Sequence, residues 1–436
     1  MPNIFKNRKF YLIIGVIMLL LGGVYFFLCS LASEHAEDIF RQEMSKQRVL
    51  RGSVTADSIK ADLFGNVSFT NLVWLDPKGE PVLQVPQGKF SVSVWDIITH
   101  SADLDTLQRV ELDGAVLSLQ FDEKMRLDVL PDKKVLSEPT PQTKKKHLDL
   151  RGKVPETELV LKNCTLNVMY KKRYFVLNQV QANIQSRTDD FIKIDFASGL
   201  FGGTIAGDSL KLYGKVDVSK DDPELALNLT MYNIIPSSMG LGKIENPADI
   251  FLEVKGPLQQ PKADGALNFD ELDIPALHFS KVSGNIHYED GRVDFTDVTG
   301  SVYGGTVDAS GNYHIDNRHY SIDVLGHDLM ASVAAKSTKI NCRVELDLKM
   351  RSEGRADTVH TYGSFTSGPG NYMLIPFESI SGKFDNKSKV LKFKDVVIKT
   401  NLGNVVTDGF KLADGRVYLE DIYLEAPDGS EKIKVR

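Results

Sequence analysis

The chain has 436 residues, with 52 Lys and Arg against 58 Asp and Glu and a formal net charge of −6. The first 33 residues hold three bases and no acid, so the remainder carries 49 bases against the same 58 acids, a net of −9. That balance excludes a nucleic-acid partner, which needs a basic face, and gives no broad electrostatic pull toward anionic lipid headgroups.

From Phe10 to Leu31 the chain runs 22 positions without a charged side chain. A hydrocarbon core of ~30 Å takes about 20 apolar residues as helix, so the stretch predicts a transmembrane segment. Lys6, Arg8 and Lys9 precede it, and Glu34, Glu37 and Asp38 follow. By the positive-inside bias the N-terminus stays in the cytoplasm and the bulk of the chain lies across the membrane. A cleaved signal peptide is the alternative, with Ser30 and Ala32 as a small-x-small site. The apolar stretch exceeds the usual ~7–15 residues of such a leader, which favours an anchor. Bulky Phe27 and Leu28 argue against Cys29 as a lipoprotein cysteine.

Glu34 to Leu50 reads as a helix, with Ala36, Phe40 and Met44 at helical spacing and Gly52 after it. Downstream the period becomes 2. Ala115, Leu117, Leu119 and Phe121 alternate with Val116, Ser118 and Gln120; Ile192, Ile194 and Phe196 form a shorter run, and Leu225, Leu227, Leu229 and Met231 another. In Val344-Glu345-Leu346-Asp347-Leu348-Lys349-Met350-Arg351 every second residue is apolar and the others are charged. Strict alternation means one buried and one wet face, the pattern of antiparallel sheet. Asp290-Gly291, Asp414-Gly415 and Gly370-Asn371 supply turn signals between the runs. Residues 131–158, with Pro139, Pro141, Pro155 and Lys144-Lys145-Lys146, read as a loop or linker, and Ile234 to Pro247 as an irregular patch able to hold a short helix.

The chain also repeats itself loosely. Phe201-Gly202-Gly203-Thr204-Ile205 matches Tyr303-Gly304-Gly305-Thr306-Val307, and Leu402-Gly403-Asn404-Val405-Val406 follows about a hundred residues later, with Leu63-Phe64-Gly65-Asn66-Val67 a poorer early copy. Gly291 to Val298 has counterparts in Lys389 to Val396 and Gly415 to Ile422, each ending in an acid before a β-branched residue. Such self-similarity predicts a long sheet built by repetition. About 30 strands at ~4.8 Å would reach ~140 Å. Gly202, Gly203, Gly304, Gly305 and Gly403 are expected in strands or strand bends where the sheet curls and a side chain would collide with a neighbour, with a plain hairpin turn as the alternative.

Catalytic patterns are sparse. His314, His319 and His327 lack the helical i, i+4 spacing of a zinc pair. Asp103 and Asp105 lie outside any α/β pattern, and no Lys-Ser/Thr follows the glycine pairs as in a phosphate loop. No metal, no cofactor and no enzymatic activity are expected. Cys164 and Cys342 flank strand-like runs, which predicts buried free thiols; a single bridge between them is the alternative.

Gly256-Pro257-Leu258-Gln259-Gln260-Pro261-Lys262-Ala263-Asp264-Gly265 resembles the Gly-x-Leu-x-x-Pro-x-x-x-Gly junctions of AsmA-like proteins, the group containing AsmA and TamB. Tyr303-Gly304-Gly305-Thr306-Val307 followed by Gly311-Asn312-Tyr313 is similar in style. Gly65 to Leu72, Asp76-Pro77 and Val110 to Leu117 resemble the amino-terminal AsmA region. The resemblance implies an inner-membrane-anchored periplasmic protein related to bridge-like lipid transfer proteins, whose sheet curls into an apolar groove and whose role is phospholipid movement and outer-membrane homeostasis. The chain is shorter than the large members and has no recognisable outer-membrane docking segment.

The expected organisation is a membrane anchor over 1–33, an AsmA-like region with a short helix and strands over 34–130, the loop or linker over 131–158, and a repetitive β-groove over 159–436. The fold class is all-β, a long, mostly antiparallel sheet curled into a groove after one transmembrane helix. Candidate groove residues are Leu117, Leu119, Leu227, Leu229, Val293, Phe295, Leu346 and Leu348, with ordinary core packing as the alternative for each. Expected partners are phospholipids, the inner membrane through residues 10–31, and other envelope proteins. A non-lipid periplasmic scaffold or outer-membrane protein assembly factor, pairing through sheet edges, is the second functional expectation.

Overall fold

The computed structural model describes residues 52–92, 107–121, 156–170, 173–187, 190–220, 222–236, 244–274, 277–387, 390–413, 416–427 and 430–435. The apolar segment 10–31, the expected helix 34–50, most of the loop 131–158, Asp103, Asp105 and Asp414-Gly415 lie outside them. Among the described residues no helix is long and apolar enough to cross a membrane. They are almost entirely β-strand, apart from a one-turn helix at Ala331–Ala334 and a 3₁₀ turn at Ala356–Thr358. The chain divides into two units, residues 1–227 and 228–436.

In the first unit, Ser53–Thr55 and Ser58–Ala61 pair with Asn66–Leu75, which continues into Pro81–Val92. Leu107–Asp113 and Val116–Phe121 are two halves of one path broken at Gly114, and both run antiparallel to Pro81–Val92. The expected antiparallel pattern has its exception here, because Glu158–Tyr170 runs parallel to both halves. Arg173–Arg187, Phe191–Ser198 and Ser209–Asp217 then follow antiparallel, with Phe201–Gly203 against Arg173–Arg187. Ile59, Val67, Phe69, Val85, Ala115, Cys164 and Val180 make one buried cluster.

The second unit is an antiparallel meander of eleven strands: Ala248–Pro257, Lys262–Ile274, Leu277–Glu289, Arg292–Val302, Gly305–His314, His319–Met330, Arg343–Glu353, His360–Ser367, Ser379–Lys387, Val390–Thr400 and Gly403–Ala413. Gly403–Ala413 then pairs with both Arg416–Leu419 and Ile422–Glu425. A separate three-stranded sheet, Ile340–Asn341, Gly370–Tyr372 and Ile375–Phe377, sits beside the meander. Gly370-Asn371 therefore lies in a strand, and the turn it was expected to mark falls at Met373-Leu374.

One local device recurs in both units. Asn71, Asn163, Gln179, Asn233, Lys281, Asp297, Asp328 and Asp395 sit inside or at the end of strands with φ between 49° and 54°, and Gly114, in the break between Leu107–Asp113 and Val116–Phe121, has φ 65°. The eight non-glycine residues are all exposed, and the residue after each is apolar and turned inward. Cys164, Val180, Ile234, Val282, Leu329 and Val396 are among the most buried side chains, as is Ala115 after Gly114. Leu72 and Val298, also in this position, pack onto buried clusters. Strand register breaks at several of these places, between Phe295 and Val298 and between Gly326 and Leu329 for instance. These are β-bulges, in which one extra residue bends the strand and resets which face follows. Asn and Asp enter the left-handed region more readily than other non-glycine residues, which explains six of the nine.

Cross-strand polar groups hold the bulges. Asn285 Nδ2 donates to Asp297 Oδ2 at 3.1 Å, and Lys383 Nζ to Asp395 Oδ2 at 3.0 Å. Asp328 N–H donates to Glu345 Oε1 at 2.9 Å and Asn233 N–H to Asp249 Oδ1 at 3.0 Å. The inward residue after the bulge also explains two glycines on the facing strand. A Cβ on Gly284 would lie 2.6 Å from Val298 Cγ2, and one on Gly382 would lie 3.0 Å from Val396 Cγ2.

A β-branched side chain at φ 52° is strained whereas glycine is not. Asp395→Val should therefore lose about 1–3 kcal/mol of stability in urea unfolding followed by circular dichroism. Asp395→Gly should stay within about 0.5 kcal/mol of the parent, because its exposed ion pair contributes little. Equal losses in the two variants would show that the backbone conformation is not what the position requires.

Candidate functional site

Register places the alternating apolar residues of the second unit into rows that cross the strands. One row runs Leu252, Gly265, Ile286, Phe295, Gly311, Ile322 and Met350. The next runs Ala309, Val324, Leu348, Gly363, Phe384, Phe393, Phe410 and Leu419. Together they cross the eleven strands of the meander, about 48 Å at ~4.8 Å per gap. Phe393 stacks on Phe410 with centroids 4.5 Å apart and meets Phe365 edge-on at 6.1 Å. No charged side chain occurs in either row.

These side chains are not sealed. Ile286, Phe295, Ile322, Val324, Leu348, Met350, Phe384, Phe393 and Phe410 are each half-buried. A face packed under a second layer would have these positions buried, as the residues beyond the bulges are. Val302, Val307 and Leu329 form one closed cluster there, and Ala248, Phe269 and Val282 another. The unit thus has a sealed spine along the bulges and a half-covered apolar face beside it.

A third row lies along the margin of that face: Val254, Ala263, Tyr288, Val293, Tyr313, Tyr320 and Ser352. Its three tyrosines are half-buried, each an apolar body with a polar end. Burial pushes the Tyr320 phenol above its ordinary pKa, against a hydrogen bond with Ser352.

The opposite face is mainly polar, with Leu325 as an exposed exception. Asp264, His287, Asp294, Asn312, Ser321, Arg351 and His360 occupy one row of it. Arg351 pairs with Asp323 at 2.7 Å, Arg292 with Asp294 at 2.6 Å and Lys262 with Glu289 at 2.6 Å. Four histidines on this face meet carboxylates: His278 with Asp273, His287 with Asp264, His327 with Glu345 and His360 with Asp385. Among the described residues no group of His, Cys, Asp and Glu is arranged to hold a metal ion.

The sequence-derived groove residues divide by place. Val293, Phe295 and Leu348 lie in the rows of the half-covered face. Leu346 opposes Gly326 and Phe365 and packs against the closed cluster of Val302, Val307 and Leu329. Leu227 is buried, and Leu229, on the same strand Glu224–Ile234, is half-buried. In the first unit Leu117 aligns with Leu83, Leu166, Leu177 and Phe201, and Leu119 with Val168, Phe175 and Gly203. The aromatic run Phe384, Phe393 and Phe410 and the tyrosine margin went unnoticed in the sequence. Register between strands far apart in the chain creates them, although Phe393 stands in the repeat that also contains Asp395.

The glycines take different places. Gly202 and Gly203 lie in the strand Phe201–Gly203, where a Cβ on Gly202 would meet nothing and one on Gly203 would lie 2.1 Å from Tyr174 O. Gly305 and Gly403 open strands after two-residue turns and abut backbone, with a Cβ 2.2 Å from His327 O and 2.7 Å from Glu425 O. Gly304 lies in the turn itself, at φ 71° behind Tyr303 at 50°. Cys164 and Cys342 are both buried free thiols whose pKa burial raises.

Compared with protein-family models, with curated proteins and with solved structures, the chain gives no match.

Hydrogen bonds to Asp273 and to Asp264 raise the pKa of His278 and His287 above the ordinary ~6.5. A raised folded-state pKa gives stabilisation that is full below the unfolded value and fades as pH climbs through the folded one. The double variant His278→Gln/His287→Gln should therefore melt slightly below the parent at pH 5.5 and level with it at pH 9. A deficit that grew with pH would reverse the sign of this linkage.

Proposed function

We propose that this chain binds phospholipid with its acyl chains laid along the half-covered apolar face and its headgroup at the tyrosine margin, and that it carries lipid without covalent chemistry. One observation carries the reading: two uncharged apolar rows cross eleven strands and remain half-buried while the reverse face is charged. Large uncovered apolar surfaces are rare in chains that bind nothing. The extent of the rows suits a long flexible chain better than a compact polar ligand. The apolar segment Phe10–Leu31 and the AsmA-like resemblance support a periplasmic, inner-membrane-anchored setting and a role in outer-membrane lipid homeostasis.

The test separates a lined groove from a closed core. The full chain, extracted from membranes and held in an amphipathic polymer, should carry phospholipid detectable by mass spectrometry. A charge in the rows, as in Leu348→Glu or Phe393→Asp, should lower that lipid roughly tenfold while the cooperative melt survives. Val396→Asp places a charge in the sealed spine and should abolish cooperative folding. If Leu348→Glu and Phe393→Asp unfold the chain as Val396→Asp does, the face is core and the lipid reading fails.

A further inference from the structure

The hairpin joining Gly370–Tyr372 to Ile375–Phe377 breaks the ordinary rules of turn chemistry. Tyr372 opposes Ile375, so the loop is the two residues Met373-Leu374. Two-residue loops favour Asn, Asp and Gly, as the Asp290-Gly291 turn of the same unit has. Met373 instead holds φ 54°. Leu374 is 97% exposed, Ile375 65%, Met373 57% and Tyr372 49%, four large side chains in succession. Local preference and solvation are both sacrificed at one point, which marks a position kept for contact.

The tip is braced. Asn371 Nδ2 donates to Met373 O at 2.7 Å, and Met373 N–H donates to Lys339 O at 2.6 Å. Phe377 is buried at its base. The same contact sets Lys339 beside the tip, with Lys336 three residues earlier and Val333 exposed on the one-turn helix. Residues 331–341 and 368–377 contain these two lysines and no acid, in a chain whose net charge is −6.

We propose that the tip Tyr372–Ile375, flanked by Val333, Lys336 and Lys339, docks the second unit onto a bilayer containing anionic lipid. A protruding apolar tip would need a matching pocket on a protein, whereas an interfacial lipid layer accepts it without one. Leu374 and Met373 enter the acyl boundary, Tyr372 sits at the headgroups, and the lysine stems lie along the apolar surface with their ammonium groups at phosphates. The docking point is separate from the apolar rows and does not depend on their carrying lipid.

The full chain in amphipathic polymer, carrying Leu374→Trp, is mixed with added phosphatidylethanolamine–phosphatidylglycerol vesicles whose acyl chains are brominated. Fluorescence of the added tryptophan should shift to the blue and be quenched, and phosphatidylcholine vesicles should bind more weakly. Leu374→Asp should reduce vesicle flotation about tenfold without moving the melting temperature, since the side chain is almost wholly exposed. Lys336→Gln/Lys339→Gln should weaken binding and flatten its salt dependence. Phe393→Asp, which disables the apolar rows, should leave the quenching intact. Absence of quenching at lipid excess overturns the proposal. So does a dimer or a protein complex that Leu374→Asp dissolves while quenching is absent, which would assign the tip to another chain.

Discussion

The rest of the second unit depends on a backbone conformation that few side chains tolerate. A strand that alternates without interruption presents one continuous apolar face, and that face must be wholly covered or wholly open. Each left-handed residue inserted in a strand or at its end resets the alternation and bends the path. The polar side chain at the bulge points to water, and the apolar residue after it turns inward. Asn233-Ile234, Lys281-Val282, Asp328-Leu329 and Asp395-Val396 repeat this step on strands spread over more than 160 residues of chain.

That step separates stability from the open face. Each Val, Ile or Leu driven into the spine contributes roughly 1.5–3 kcal/mol on full burial. The spine can hold the strands together without the rows of Phe295 and Leu348 being sealed. The surface ion pairs on the reverse face add little by comparison, as exposed pairs generally do, and mainly keep the sheet wet on that side. A face relieved of structural duty can tolerate loose packing. A closed core cannot, because its interior is packed to crystal-like density and every methylene is felt.

Much of this was legible in the sequence. Period-2 alternation gave the all-β class, and the runs around Phe295 and Leu348 gave two of the rows, because alternation is a local property that side-chain order records directly. The acid before a β-branched residue at Asp297-Val298 and Asp395-Val396 was visible as a repeat, but its meaning was not. Nothing in one strand says that the acid has a positive φ; only the facing Gly284 and Gly382 and the broken register do. Leu227 and Leu346 looked identical to Leu348 in pattern, yet one is buried and the other packs against the spine. Packing against residues on other strands decides this, and a residue's own alternation does not encode it. The parallel pairing of Glu158–Tyr170 was hidden for a related reason, since a strand's partner can follow a long connection that carries no alternation at all.

The composition of the rows bears on what such a face can distinguish. Its lining is Phe, Leu, Ile, Val and Met with glycines between, and it offers no fixed polar group along its length. Apolar contacts discriminate weakly, with one methylene worth only a factor of about 10–200 even in a shaped pocket, and far less on an open surface. On the lipid reading, the rows set how much chain is held and leave its identity largely unread. The polar-ended side chains beside the rows are the half-buried Tyr288, Tyr313 and Tyr320 of the margin. A phenol donates and accepts single hydrogen bonds and lacks the paired donors with which arginine grips phosphate. A margin of this kind orients an amphipathic molecule and lets it slide, which suits passage along the sheet better than tight retention at one place.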